Sequence, residues 1–240
     1  MKKLVCLVIV LALSAAASAD LIASSDMESV VGGYILNSGT GGSALDGYLI
    51  GGATIVNDAE KGNVLSLDGI DGFVDCGNDT AWDITEKITV SLDYKSTGAD
   101  GDWDPFIAKG DGTADAIPAW SDGAWRVQMA PGSRLSEGLT GTSRGWLDGT
   151  SNIKDGAWHH LEMVYNGTSE SLYVDGVLEA QAASTGSINV NSYPVWIGSN
   201  YCNVTRFITG LIDNVQVSNV PEPATICLLG LGGLLLRRRK

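Results

Sequence analysis

The stretch that decides the fold begins Asp155-Gly156-Ala157-Trp158-His159-His160 and runs on to Leu178. Its first half alternates with the two-residue period of a β-strand, and we expect the more apolar face to point into the core. That face carries His159, Leu161, Met163 and Tyr165. In the second half, Asp175-Gly176 lies between two short apolar runs and favours a two-residue hairpin, because both turn residues need positive φ. With a further turn at Asn166-Gly167-Thr168, the stretch predicts three consecutive antiparallel strands.

The composition also favours strands over helices. The chain has 31 glycines among 240 residues and only 18% charged residues, and turn signals recur at short intervals. No convincing amphipathic helix is found in the interior. The length suits one sandwich of the size that all-β domains commonly reach. We therefore expect a single domain over residues 20–218.

These residues resemble the central signature of laminin-G-like domains within the concanavalin A-like lectin/glucanase superfamily. Two flanking segments agree: residues 66–69 with 73–77 resemble the early strand pair of the family, and residues 207–217 resemble its closing strand. The resemblance implies an all-β fold, a two-sheet antiparallel jelly-roll sandwich. It says little about function, because the same sandwich serves lectins, enzymes and adhesive modules.

Both ends of the chain read as sorting signals. Residues 1–19 combine Lys2-Lys3, a short apolar run and a terminal Ala17-Ser18-Ala19, which is typical of a secretory signal peptide. Residues 219–240 contain Pro221-Glu222-Pro223, an apolar run and a basic end, and resemble the PEP-CTERM sorting signal. That resemblance implies a Gram-negative bacterium, an exosortase-type processing enzyme and a precursor held transiently in the membrane. The mature protein is then expected at the cell surface or in the extracellular matrix.

The charge balance argues against two classes of partner. The formal net charge is −13, and it becomes −19 (28 acids against 9 bases) when the six basic residues at the two ends are left out. Nucleic acids and anionic membrane surfaces are polyanions and require basic patches on the proteins that bind them. The balance is compatible with divalent cations, with neutral glycans or simply with solubility.

The middle of the chain, residues 96–151, predicts long loops between short strands, and loops on a rigid sandwich are where binding usually occurs. Three tryptophans there are candidate ligand-binding residues: Trp103, Trp120 and Trp146. The alternative is that these side chains, with Trp125, anchor the loops by packing inward.

The resemblance also implies one structural Ca²⁺ that joins the two ends of the domain. The corresponding ligands are Asp26 or Glu28 near the start and Asp213 on the closing strand. Alternatively, Asp213 caps a turn or pairs with a base such as Arg206, and Glu28 is simply solvated.

No catalytic constellation is visible. The glucanases of the superfamily use Glu-x-Asp-x-x-Glu on one strand, whereas this chain has a lone Glu162. His159 and His160 are adjacent, so a strand directs them to opposite faces, and we interpret them as structural hydrogen-bonding residues. Cys76 and Cys202 are the cysteines of the predicted domain, and we favour two separate thiols over a bridge.

Two functions follow from these observations. The first is a non-catalytic module that binds carbohydrate or extracellular matrix, with extracellular polysaccharide or a surface glycan as its partner. The alternative is a structural or adhesive cell-surface protein without a specific ligand, and a glycan-active enzyme is a distant third.

Overall fold

A computed structural model describes residues 20–98, 101–110, 123–200 and 206–219. All of them belong to one compact unit. The predicted signal peptide and all but the first residue of the predicted sorting tail lie outside the described residues, so both stay predictions at the level of structure. No helix in these four segments is long and apolar enough to cross a membrane.

The described residues form strands joined by turns, with two short 3-10 helices at Gly42–Leu45 and Thr80–Trp82. In chain order the strands are β1 (Leu21–Ser25), β2 (Val30–Val31), β3 (Tyr34–Ile35), β4 (Gly47–Ile50), β5 (Thr54–Asp58), β6 (Gly62–Asp68), β7 (Phe73–Asp75), β8 (Ile88–Ser96), β9 (Pro105–Lys109), β10 (Trp125–Ala130), β11 (Arg134–Leu139), β12 (Trp146–Asp148), β13 (Trp158–Tyr165), β14 (Ser169–Val174), β15 (Val177–Ala183), β16 (Val195–Ile197) and β17 (Thr209–Ser218).

The strands make two antiparallel sheets. The eight-stranded sheet has the order β15-β14-β13-β8-β17-β6-β5, with β1 also paired to β17. The nine-stranded sheet has the order β12-β11-β10-β9-β16-β7-β4-β3-β2. The large jumps in sequence between neighbours, such as β8 beside β17, are those of a jelly-roll sandwich rather than a simple meander. The predicted fold class is therefore confirmed.

The stretch that begins at Asp155 folds as the sequence predicts. β13 pairs with β14, and β14 pairs with β15 through the hairpin turn. Asp175 and Gly176 have φ values of 53° and 74°, which is the pair of positive angles that an Asp-Gly turn provides at low cost. The preceding turn is closed by Asn166, whose side-chain oxygen accepts hydrogen bonds from the Thr168 and Ser169 amides at 2.9 Å each.

The core lies between the two sheets and is almost entirely apolar. From the eight-stranded sheet, Leu161, Met163 and Tyr165 are fully buried on the face that the alternation predicts. Across from them, β10 contributes Trp125, which is 1% exposed. Burial of each large apolar side chain stabilises the fold by roughly 1.5–3 kcal/mol, so the sandwich has a substantial driving force.

Two carboxyl groups are the exception in this core. Glu137 on β11 alternates with Leu135 and Leu139 and therefore points inward, while Glu170 points inward from β14, and both are 0% exposed. Burial and the neighbouring Glu170 raise the pKa of Glu137 well above its ordinary value. Glu137 therefore binds its proton more tightly than an exposed glutamate does. The hydroxyl of Thr142 donates to the neighbouring carboxyl group, with Oγ1 2.9 Å from Glu170 Oε1.

Candidate ligand-binding cavity

One continuous row of side chains crosses the outer face of the nine-stranded sheet. Directly paired residues on neighbouring strands share a face, so the row can be followed from strand to strand. It consists of Tyr34, Tyr48, Asp75, Trp196, Ala108, Arg126, Gly138 and Trp146. At about 4.8 Å per strand, it is roughly 34 Å long. Its ends are aromatic and accessible: Tyr34 and Trp146 are each 46% exposed.

A cavity of about 450 Å³ lies at the β12 end of this row. Arg126 and Gly138 line it from the sheet, Trp146 lines it from β12, and Arg144 and Asn189 line it from loops. The volume falls within the range of roughly 300–1,000 Å³ that is typical of small-molecule sites. An aromatic side chain, guanidinium groups and an amide thus face one concave surface.

Gly138 makes room for the arginine beside it. A Cβ at this position would lie 2.8 Å from Nε of Arg126, closer than such contacts occur. The side chain of Arg126 therefore lies across β11, where it is 2% exposed. Burial and the nearby charge of Arg206 lower the pKa of Arg126 well below its ordinary value, and Glu137 offsets this only in part. Desolvation and a like charge thus act on this guanidinium, and the buried Glu137 acts against them.

The structure brings together two of the three tryptophans that the sequence predicts as ligand-binding. The rings of Trp103 and Trp146 stack, with centroids 5.5 Å apart and planes 20° from parallel. Trp120 lies outside the described residues. Trp125 packs in the core instead, so for this residue the inward-packing alternative holds.

Trp103 adopts a backbone conformation that is uncommon for a bulky side chain. Its φ is 71°, in the left-handed region, and its amide donates to the Met129 carbonyl at 2.8 Å. The Met129 amide in turn donates to the carbonyl of Asp104 at 2.8 Å. Conformations of this kind cost of order 1–3 kcal/mol and concentrate at functional sites. The strained backbone places the Trp103 ring against Trp146, which in turn lines the cavity.

A second row on the same face is polar. Gln128, Ser136 and Asp148 are paired across β10, β11 and β12, two residues along from Arg126, Gly138 and Trp146. Within the four described segments, the Gln128 amide, Ser136 Oγ and Asp148 Oδ1 are buried without a hydrogen-bond partner. Each such group costs roughly 1–3 kcal/mol when it is left unsatisfied. These groups are suited to hydrogen-bonding a ligand or ordered water.

The residues predicted to hold calcium do not form one group. Asp213 on β17 is 3% exposed, and its Oδ1 has no hydrogen-bond partner among the described residues, so it fits a ligand role. Glu28 does not, because its carboxylate accepts hydrogen bonds from the amide and the side chain of Asn63, at 2.9 and 2.8 Å. No set of three or more His, Cys, Asp or Glu side chains in the described part of the chain is placed to hold a metal. The calcium site stays a prediction that rests on Asp26 and Asp213.

Burial raises the pKa of Asp213 to about 6, and the charges of Asp93 and Asp26 act in the same direction. Asp93 is directly opposite on β8. Instead of pairing with Arg206, Asp213 Oδ2 accepts a hydrogen bond of 3.1 Å from the side chain of Asn214. Lys61, which pairs with Asp93 at 2.6 Å, acts in the opposite direction, so the repulsion between these acidic groups is partly neutralised within the protein.

The two histidines have the structural roles that the sequence predicts. Both ring nitrogens of His159 bond to carboxylates, Nδ1 to Asp175 at 2.9 Å and Nε2 to Asp155 at 3.0 Å. The ring of His160 bonds to Asp93 at 2.7 Å, on the opposite face of the strand. These carboxylates tie the start of β13 to the hairpin and to β8.

Cys76 is a buried free thiol, and burial raises its pKa to about 12. A thiol with this pKa is inert at neutral pH. Cys202 lies outside the described residues, so its state stays a prediction.

Sequence reasoning missed the arginines and the two tyrosines of this surface. A usable signal was present in Trp125-Arg126-Val127-Gln128-Met129, where polar residues alternate with apolar ones and mark one face of β10. Nothing in the local sequence links Tyr34 or Arg144 to that face, because strand order brings them there.

The fold and cavity define a two-sheet jelly-roll sandwich with a ligand-sized site on its outer surface. The chain belongs to the concanavalin A-like lectin/glucanase superfamily, whose laminin-G-like family model matches residues 68–226. The PEP-CTERM protein-sorting motif matches residues 219–240. It indicates export with a C-terminal anchoring signal, as found in Gram-negative bacteria, and implies processing by exosortase-type machinery. A comparison with the curated proteins finds no significant match.

Several solved structures share this fold at low sequence identity. The binding domain of Paraclostridial Mosquitocidal Protein 1 is 12% identical with a TM-score of 0.65, and the match covers 85% of this chain and 50% of that one. Domain 4 of AbnA, a GH43 extracellular arabinanase from Geobacillus stearothermophilus solved with arabinotriose, is 18% identical with a TM-score of 0.57. The match covers 83% of this chain and 92% of that domain. Trypanosoma rangeli sialidase in complex with sialic acid is 15% identical with a TM-score of 0.60, and the match covers 86% of this chain and 32% of that one.

This chain therefore spans about half of the mosquitocidal-protein chain and about a third of the sialidase chain. Identities this low establish a shared fold only.

Proposed function

We propose that this protein is an exported, non-catalytic carbohydrate-binding module whose saccharide lies in the cavity beside β12. The observation that carries the proposal is the stacked pair of Trp103 and Trp146 at a cavity with buried polar groups next to it. Sugars present both apolar ring faces and hydroxyl groups, so they require this combination of aromatic and hydrogen-bonding surfaces.

The comparisons support the same class of function. Domain 4 of AbnA shares the sandwich, and its structure was determined with arabinotriose. The PEP-CTERM motif supports delivery of the module to the cell surface or the exopolysaccharide matrix, where glycans are abundant.

The proposal of binding without hydrolysis rests on where the carboxyl groups lie. Glycoside hydrolysis requires two carboxyl groups on either side of the scissile bond. Glu137 and Glu170 are enclosed between the sheets, and the described residues that line the cavity include no Asp or Glu. Asp148 is close by in the second row, but it is a single carboxylate.

Affinity electrophoresis in gels that contain individual polysaccharides tests the proposal. At least one gel should retard the protein, and Trp146→Ala should weaken that retardation by about tenfold or more, equivalent to about 1.4 kcal/mol. Tyr173→Ala is the matched control, because Tyr173 lies on β14 in the other sheet. No retardation by any glycan, or equal loss in both variants, would favour the alternative of a structural surface protein.

A further inference from the structure

The cavity differs in charge from the rest of the molecule. Outside its two ends, residues 1–19 and 219–240, the chain has 27 acids and 9 bases, so any random surface is expected to be acidic. The described residues that line the cavity nevertheless include two arginines and no Asp or Glu. The chain has four arginines before the basic tail, and two of these four, Arg126 and Arg144, line the cavity. A third, Arg206, is close enough to Arg126 to affect its pKa.

The two lining arginines occupy complementary positions. Arg126 is buried beside Gly138 and forms part of the cavity wall. Arg144 is exposed in the loop before β12, and it forms no ion pair within the described segments, although carboxylates are abundant on this protein. Its charge acts on Glu137, which is enclosed between the sheets, so the exposed guanidinium can still reach a ligand.

We propose that the cavity recognises an anionic sugar residue, whose carboxylate or sulfate group is bound by Arg144 at the mouth and faces Arg126 on the sheet. This inference rests on the proposed function and specifies its ligand class. A planar guanidinium binds oxyanions through two parallel hydrogen bonds, which a lysine ammonium cannot do. Trp146 supplies an apolar wall for the sugar ring, and Asn189 supplies an amide for its hydroxyl groups.

Electrostatics make such a ligand favourable in this cavity even though the whole protein is acidic. Long-range repulsion between an acidic domain and an acidic glycan is screened beyond roughly 8–10 Å at ordinary ionic strength. Contacts inside a partly desolvated cavity are screened far less. Desolvation and Arg206 disfavour the buried charge of Arg126, and Glu137 offsets this in part; an anion bound by Arg144 would act in the same direction as Glu137. Contacts within the cavity therefore determine whether an anionic sugar binds. The negative charge of the whole protein disfavours binding of polyanions that do not fit into the cavity.

The test uses two pairs of polysaccharides that differ only in charge: polygalacturonate with its methyl ester, and dextran sulfate with dextran. The full chain, purified in a polyoxyethylene detergent that carries no sugar, is titrated with each polymer. We expect at least one charged polymer to bind about tenfold more tightly than its neutral partner. Arg144→Gln should abolish that preference and leave binding of the neutral polymer within about twofold.

Lys87→Gln is the matched control, because it removes one positive charge from an exposed position that does not line the cavity. It should leave the preference intact, and unfolding midpoints should show that both variants are folded. If the preference for the charged polymer is seen with polygalacturonate and its methyl ester, the anion is a carboxylate; if it is seen with dextran sulfate and dextran, the anion is a sulfate. Equal affinity for charged and neutral polymers, or a preference that survives Arg144→Gln, would overturn the inference while glycan binding itself stands. The inference would also be overturned if none of the four polymers bound while another, neutral glycan retarded the protein in the affinity gels. If no glycan bound at all, the proposed function itself would be overturned.

Discussion

At the scale of single residues, the inward-facing Glu137 is the most consequential departure from a simple apolar core. An acid whose pKa is raised in the folded state binds its proton more tightly there, so stability is lost as pH rises from about 4.3 through the folded pKa. Glu137→Gln should remove this loss, which amounts to at most about 1.4 kcal/mol for each pH unit. Urea unfolding between pH 4 and pH 8 measures it.

Glu179 provides the control of opposite sign. Its partial desolvation is outweighed by hydrogen bonds from Thr150 and Ser151, which lower its pKa to about 2. Glu179→Gln should therefore destabilise the protein at neutral pH. If both substitutions change stability in the same direction at pH 8, the assignment of Glu137 is wrong.

Substitution of Asp213 tests whether the predicted calcium site exists. Calcium at about a hundredfold above its dissociation constant should stabilise a folded-state site by roughly 2.7 kcal/mol. We expect Asp213→Asn to abolish this stabilisation, and Glu28→Gln to leave most of it, because Glu28 is engaged by Asn63. Thermal unfolding with calcium and with chelator is the measurement. A midpoint that calcium leaves unchanged, or a shift that persists in Asp213→Asn, would rule the site out.

At the scale of elements, the hairpin between β14 and β15 is joined to the start of β13 through Asp175, which accepts from the His160 amide and contacts the His159 ring. Desolvation lowers the pKa of His159, but the bonds to Asp175 and Asp155 outweigh it and raise the pKa. The stability from this contact is present below about pH 6.5 and is lost as pH rises through the folded pKa.

Asp175→Asn keeps a residue that tolerates the turn conformation but removes the charge. It should lower the pKa of His159 in an NMR titration and lower that of His160 much less, because the hydrogen bond to Asp93 is the main cause of the raised His160 pKa and the charge of Asp175 is the smallest one. Equal shifts of both histidines would contradict this account of the hairpin.

The elements also show what the sequence could and could not predict. β13 and the Asp175-Gly176 turn follow from alternation and turn chemistry, which are local. In β10, the polar residues Arg126 and Gln128 join a site only because β11 and β12 lie beside them. Contacts such as Trp103 with Trp146 depend on long-range strand order, which no local pattern specifies.

At the scale of the whole molecule, the two sheets have different outer surfaces. The eight-stranded sheet carries ion pairs within the protein, such as Lys61 with Asp93 at 2.6 Å. The nine-stranded sheet carries the aromatic row, the unsatisfied polar row and the cavity. In the proposed function, recognition therefore belongs to the outer face of the nine-stranded sheet.

The central claim is that saccharide binds at the β12 end of the nine-stranded sheet, and NMR chemical-shift mapping tests it most directly. The ligand is the saccharide that retards the protein most strongly in the affinity gels. We predict that the largest shifts occur at the indole groups of Trp103 and Trp146 and at the amides of β10, β11 and β12. Shifts that instead concentrate on β13, β14 and β15, or that are spread evenly over both sheets, would contradict the claim.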